Sequence, residues 1–165
     1  MNVYKFIFGL LLVSLVAACN GSKPITQMPE EAIPVQASIL TKGAYSSVES
    51  DSNMLILDQT KFQELWRSMH SMQMPIPELP IVDFEKQAVV ASFLGMKNSG
   101  GYAVNFVDAR THKDVLYILM TSTSPGAGCF TTNAITYPFV MAVVEKGSFT
   151  DYQFLMTQEV IDCDR

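Results

Sequence analysis

The chain has 165 residues, 48% of them apolar, and a formal charge of −5. That length sets a single domain as the expectation. The acidic balance, with no basic stripe, excludes nucleic acid as a partner and leaves no charge attraction to acidic phospholipid headgroups.

The N-terminus reads as an address rather than as structure. Lys5 supplies a small positive region, and Phe6 to Val13 form an apolar core. The apolar run of about ten to thirteen residues falls short of the ~20 that a spanning helix needs, and signal peptides have this form. Leu15-Val16-Ala17-Ala18-Cys19 closes it. That is the lipobox pattern, in which the small Ala18 fits a peptidase and the Cys19 thiol takes up a diacylglycerol. The alternatives are an uncleaved anchor or a plain secretory signal. Residues 1–18 are therefore assigned to a lipoprotein signal peptide, and the mature chain begins at the lipidated Cys19, held to a bilayer by acyl chains such as palmitate. Each buried methylene adds ~0.8 kcal/mol to such an anchor. Asn20, where inner-membrane retention would call for Asp, favours the outer membrane if the host is Gram-negative. The expected location is the cell envelope, facing the periplasm.

About 147 residues remain, enough to bury ~70% of the unfolded surface. Residues 19–34 carry Pro24, Pro29 and Pro34 and read as a flexible tether with an r.m.s. span of ~20 Å. The folded domain is expected over residues 35–165. Its first elements are a strand pair, Gln36 to Thr41 and Asn53 to Leu57, across a Gly/Ser/Asp-rich stretch. Thr60-Lys61-Phe62-Gln63 matches a capping box. Phe62, Leu65, Trp66 and Met69 then form one apolar helical face, ending before Pro75. Trp66, the only tryptophan, should anchor that helix on a sheet.

Pro75, Pro77 and Pro80 make an extended connector. Strands are expected at Gln87–Met96, Tyr102–Asp108, Asp114–Thr121, Tyr137–Glu145 and Asp151–Val160. Asp114–Thr121 is apolar on both faces, as a central strand would be. The last two strands are joined by a turn at Lys146-Gly147-Ser148. The resulting class is α+β, a largely antiparallel sheet of about seven strands with one main amphipathic helix packed on it.

With Cys19 given to lipid, Cys129 and Cys163 remain, an even number in an oxidising compartment. They are expected to form a disulfide; two free thiols are the alternative. Catalytic candidates are thin. A Cys129–His112 pair would need the histidine to reach the thiol, but His112 sits in the polar Thr111-His112-Lys113-Asp114 turn. Met69-His70-Ser71-Met72-Gln73-Met74 offers soft thioethers that suit Cu(I). Core filling by methionine explains that run as well. No EF-hand, HExxH, Walker or GxSxG pattern occurs. Neither a catalytic residue, a metal site nor a cofactor is assigned. Two glycine-bearing loops are the binding candidates. They are Asn98-Ser99-Gly100-Gly101-Tyr102 and the stretch with Pro125, Gly126 and Gly128. Their glycines serve either tight turns or a recognition edge.

Those loops sit in a recurring order of features. Phe62, Leu65 and Trp66 lie in the helix, and Val82-Asp83-Phe84 precedes the strand Val89-Val90-Ala91. Gly95-Met96-Lys97-Asn98-Ser99-Gly100-Gly101-Tyr102 follows, then Pro125 with its glycines, then Tyr137-Pro138-Phe139. From Met54 to Val144 this order resembles the C-terminal domain family of PrcB, a lipoprotein subunit of a bacterial protease complex. Ser99 stands where the family usually has Thr. The resemblance implies an accessory role beside a protease rather than proteolysis, and hence a protein partner. Two other readings compete. Asn98 to Tyr102 faintly resembles the NPTTGY loop of chagasin-like cysteine-protease inhibitors, which wedge loops into their targets, although the helix counts against that all-β fold. A binder of a small molecule or envelope component is the third.

Overall fold

The computed structural model describes residues 27–163. The signal peptide, Cys19 and the first part of the tether lie outside the described residues. The elements are β1 (Ile33–Pro34), β2 (Ala37–Gly43), β3 (Asp51–Ile56), α1 (Gln59–Met69), β4 (Gln87–Leu94), β5 (Ala103–His112), β6 (Val115–Pro125), β7 (Phe139–Glu145) and β8 (Asp151–Ile161). They form three layers. A central sheet has the order β2-β7-β4-β3, an outer sheet the order β1-β5-β6-β8, and α1 covers the free face of the central sheet.

The arrangement follows from the parity of apolar residues in β4 and β7. Side chains alternate faces along a strand. In β4, Val89, Ala91 and Phe93 join Phe62, Trp66 and Met69 of the helix, while Ala88, Val90 and Leu94 join Leu116, Ile118 and Met120 of the outer sheet. β7 repeats the division. Phe139, Met141 and Val143 face α1, and Val140, Ala142 and Val144 face the outer sheet. The pairing Val89↔Val143, Ala91↔Met141 and Phe93↔Phe139 keeps like faces together. Each fully buried Val or Phe contributes ~1.5–3 kcal/mol, and the two strands have no solvent face at all.

This corrects the expectation of one sheet of about seven strands. Among the described residues there are eight strands in two four-stranded sheets, mostly β, with one 11-residue helix. One helix can cover only one face of a sheet whose inner strands are apolar on both, so the other face requires a second sheet. Two further expectations fail for the same reason. β2 and β3 are not a pair. They are the opposite edges of the central sheet, separated by the more apolar β7 and β4. The turn after β7 does not make a hairpin either, because β8 crosses to the outer sheet and pairs with β6 in parallel. The expected boundary of the tether at Pro34 also moves. Ala32 is buried, and Ile33 and Pro34 pair with Thr111 and Arg110 of β5.

α1 starts earlier than the capping-box reading places it. Asp58, not Thr60, is the N-cap, and its carboxylate accepts the Lys61 N–H at 2.9 Å. Asp caps at least as well as Thr, and its negative charge favours the helix N-terminus. The apolar face then packs as its spacing predicts. Phe62, Trp66 and Met69 are buried, and the Trp66 Nε1–H donates to the Pro77 carbonyl at 2.9 Å. That bond fastens the proline connector across the helix.

His70, the C-cap of α1, is buried edge-on to Trp66 at 4.4 Å between ring centroids, with Phe139 at 6.4 Å. Neither ring nitrogen has a hydrogen-bond partner. Burial therefore holds its pKa below the usual value of 6.5, and the nearby Gln73 side chain offsets only part of that. His70 is folded in its neutral form. The unfolded chain takes up a proton below pH 6.5 more readily than the folded one, so stability present above that pH is lost as the pH falls through it. Urea midpoints should drop between pH 7.5 and pH 5, and His70→Leu should shrink the drop. An equal drop in the variant would assign it to other groups. Trp66→Ala should cost about 3–5 kcal/mol in the same assay at pH 7.5.

Candidate functional site

β4 and β6 both run to the same end of the molecule, and the two glycine-bearing loops leave from their ends. Gly101 has φ +89°, a conformation that L side chains rarely adopt. A Cβ there would sit 3.1 Å from the Pro125 ring and from the Thr131 methyl. Gly100 is faced still more closely by the Thr132 hydroxyl, and its N–H donates to the Thr132 carbonyl at 3.0 Å. The loops at Asn98–Tyr102 and Pro125–Gly128 are thus one structure, clasped across their glycines.

Residues 129–137 complete the clasp. Lys97 and Thr136 exchange backbone hydrogen bonds at 2.8 and 2.9 Å, and the Thr136 hydroxyl donates to the Ser99 carbonyl at 2.9 Å. Tyr137 forms a bridge with Tyr45 after β2. On the other side, the Gly126 N–H donates to the Ile161 carbonyl at 2.9 Å, and Cys129 is bonded to Cys163 with an S–S distance of 2.07 Å. The disulfide that the cysteine count implies is therefore present, and it ties the end of β8 to the loops. Closing a loop of 34 residues contributes about 3–4 kcal/mol in the chain-entropy model.

What this backbone presents is a rigid end with side chains displayed on it. Phe130 follows the disulfide and is 95% exposed. In the first glycine loop the Lys97 ammonium lies 5.9 Å from the centre of the Tyr102 ring, within cation–π range. A cleft of about 230 Å³ is lined by Asp51, Lys97, Tyr102, Ser122, Gln158 and Val160. That is below the ~300–1,000 Å³ of drug-sized pockets. The sequence reading missed Phe130, Lys97, Asp51 and Gln158. Only Phe130 carried a signal, as an aromatic in an otherwise polar, cysteine-anchored loop.

The other candidates come apart. Cys129 has no thiol to offer. His112 closes the β5–β6 turn, whereas Cys129 lies beyond the far end of the 11-residue β6. Ten residue steps along a strand amount to about 33 Å. In the methionine run, Met69 and His70 are buried while Met72 and Met74 are exposed, so the run does not form one site. Among the described residues no three His, Cys, Asp or Glu side chains cluster as metal ligands.

Fold and loops together define a β-sandwich domain, backed by a helix, with a disulfide-secured loop platform at one end. Residues 88–145 match the family model described as PrcB C-terminal. The chain thus carries a PrcB-like domain. The match spans β4 to β7 and both glycine loops. Up to its last residue it lies inside the stretch from Met54 to Val144 that shows the resemblance in sequence, and it leaves α1 and β3 outside. No curated protein and no solved structure matches the chain.

Gly101→Val should destabilise the domain by about 2–3 kcal/mol, since it combines a disfavoured φ with two close contacts. Urea unfolding measures the loss. A change under about 0.5 kcal/mol would mean that the loop yields without cost.

Proposed function

We propose that this protein is a non-catalytic accessory subunit, anchored by lipid at Cys19 in the cell envelope, that holds a protein partner through its loop platform. The partner is a protease or a component of a protease complex. The observation that carries the reading is the convergence of the two glycine loops and the Cys129–Cys163 bridge into a fixed surface on which Phe130 stands exposed. Exposed aromatics on a rigid frame are the usual anchors of protein interfaces, because little freedom is lost when they are buried. The match of residues 88–145 to the PrcB C-terminal model supports a protease-associated role.

The anchor rests on the Leu15 to Cys19 pattern and fits the fold beyond it. Among the described residues no helix is long and apolar enough to cross a membrane. An outer-membrane location follows from Asn20 if the host is Gram-negative. The convergence of the loops also gives the inhibitor reading a physical basis, since a wedge requires adjacent loops at one end.

One experiment separates these readings. A photo-crosslinking phenylalanine analogue is placed at Phe130, or at Lys113 on the far turn as a control, in the full chain in its native membrane. Residue 130 should capture a protease-type protein whose turnover persists or rises, and residue 113 should not. Capture with abolished turnover would make the protein an inhibitor. No preferential capture at 130 would refute the platform as the binding face. In the same cells Cys19→Ser should move the chain from the membrane to the soluble fraction.

A further inference from the structure

The four sheet edges of the domain are not equivalent. β1 is two residues long and contains Pro34. β2 is broken by a register shift between Ile39 and Thr41 and carries Lys42. β3 has six residues and opens with Asp51. Short length, proline, bulges and charge are the devices that keep an edge from pairing with another chain. β8 lacks the first three, and its only charges are Asp151 and Glu159 towards its two ends. It runs for 11 residues in unbroken register with β6, from Val115↔Asp151 to Pro125↔Ile161, and contains no proline, lysine or arginine. Among the described residues its other edge has no strand beside it.

The side chains along that edge belong to the core layer. Tyr152, Phe154 and Met156 stand opposite Leu116, Ile118 and Met120 in register, and those three are fully buried between the sheets. The layer ends at β8 with Tyr152 43%, Met156 40% and Val160 62% exposed. These residues recur at every fourth position, on one face of the strand. Gln158 is the one polar residue on that face.

We propose that β8 pairs antiparallel with β8 of a second copy, across a two-fold axis at Met156, joining two outer sheets into one of eight strands. The strand is complementary to itself in this register. On the core face Met156 meets Met156 of the copy, and Tyr152 meets Val160, an aromatic opposite a β-branched residue, which is a favourable cross-strand pair. The three exposed apolar residues of this face are covered, and Phe154 meets Gln158. On the other face Leu155 meets Thr157 and Gln153 meets Glu159. The two acidic residues face Gln153 and Ile161, so no like charges are opposed. A two-fold axis closes the assembly at two copies and leaves no further β8 edge. The loop platforms lie at the Ile161 ends of the paired strands, one at each end of the joint.

Cysteine crosslinking tests the register directly in the full chain, where Cys129 and Cys163 are already bonded. Cys19→Ser removes the remaining thiol. In that background Met156→Cys, which faces itself across the axis, should oxidise to a disulfide-linked pair of chains. Val160→Cys, about eight residue steps (~27 Å) from its own copy, should not. Sedimentation of the parent chain should give twice the monomer mass, and Met156→Lys should halve it with an unchanged far-UV spectrum. Equal crosslinking at both positions would show random collision and overturn the register. A monomeric parent, or an adduct of Met156→Cys with a different protein, would overturn the pairing with a second copy.

Discussion

The fold depends on a central sheet with no wet side. β4 and β7 are apolar at every position from residue 88 to 91 and from 139 to 144, and both faces are buried. A sheet of this kind is stable only when sandwiched, and each covering layer exists to meet it. α1 supplies one layer with Phe62, Trp66 and Met69, and β5, β6 and β8 supply the other. The polar Ser92 within β4 is tolerated because its hydroxyl donates to the Asn53 carboxamide at 2.6 Å on the neighbouring strand.

Much of this could be read from the residues themselves. Seven of the eight strands and the helix lie close to where the alternation and spacing of apolar residues put them, and Trp66 packs as an anchor. The two-residue β1 escaped because it is too short to carry a period. The partition into two sheets escaped because a run apolar at every position specifies burial on both faces without saying what covers them. Strand pairing was misjudged where chain proximity stood in for apolar content. β2 and β3 are near in sequence, yet the strands buried on both faces displaced them to the edges.

The loop platform was half visible. Glycines at 100, 101, 126 and 128 mark two unusual turns, and the cysteine count marks a bridge. Nothing in the linear order says that the turns touch. That contact arises because β4 and β6 deliver their C-terminal ends to the same side of the sandwich. The clasp between Gly101 and Pro125 is consequently a tertiary fact. The same geometry explains why the disulfide matters to more than stability. It joins the segment after β8 to the loop that bears Phe130.

The placement of β7 has a consequence for how the chain reaches this structure. β7 lies between β2 and β4, pairing Ala37 with Val144 on one side and Val89 with Val143 on the other. Until it arrives, β2 and β4 share no hydrogen bonds, and α1 has only half a floor. In a polypeptide released N-terminus first, β3 and β4 can pair beneath α1 early, but the central sheet cannot be joined to β2 as it emerges. It must remain open until residue 145 is free, and contacts so distant in sequence form slowly. β7 is the keystone of the central sheet, and a truncation just before it leaves the β3–β4 pair unjoined to β2 rather than a smaller domain.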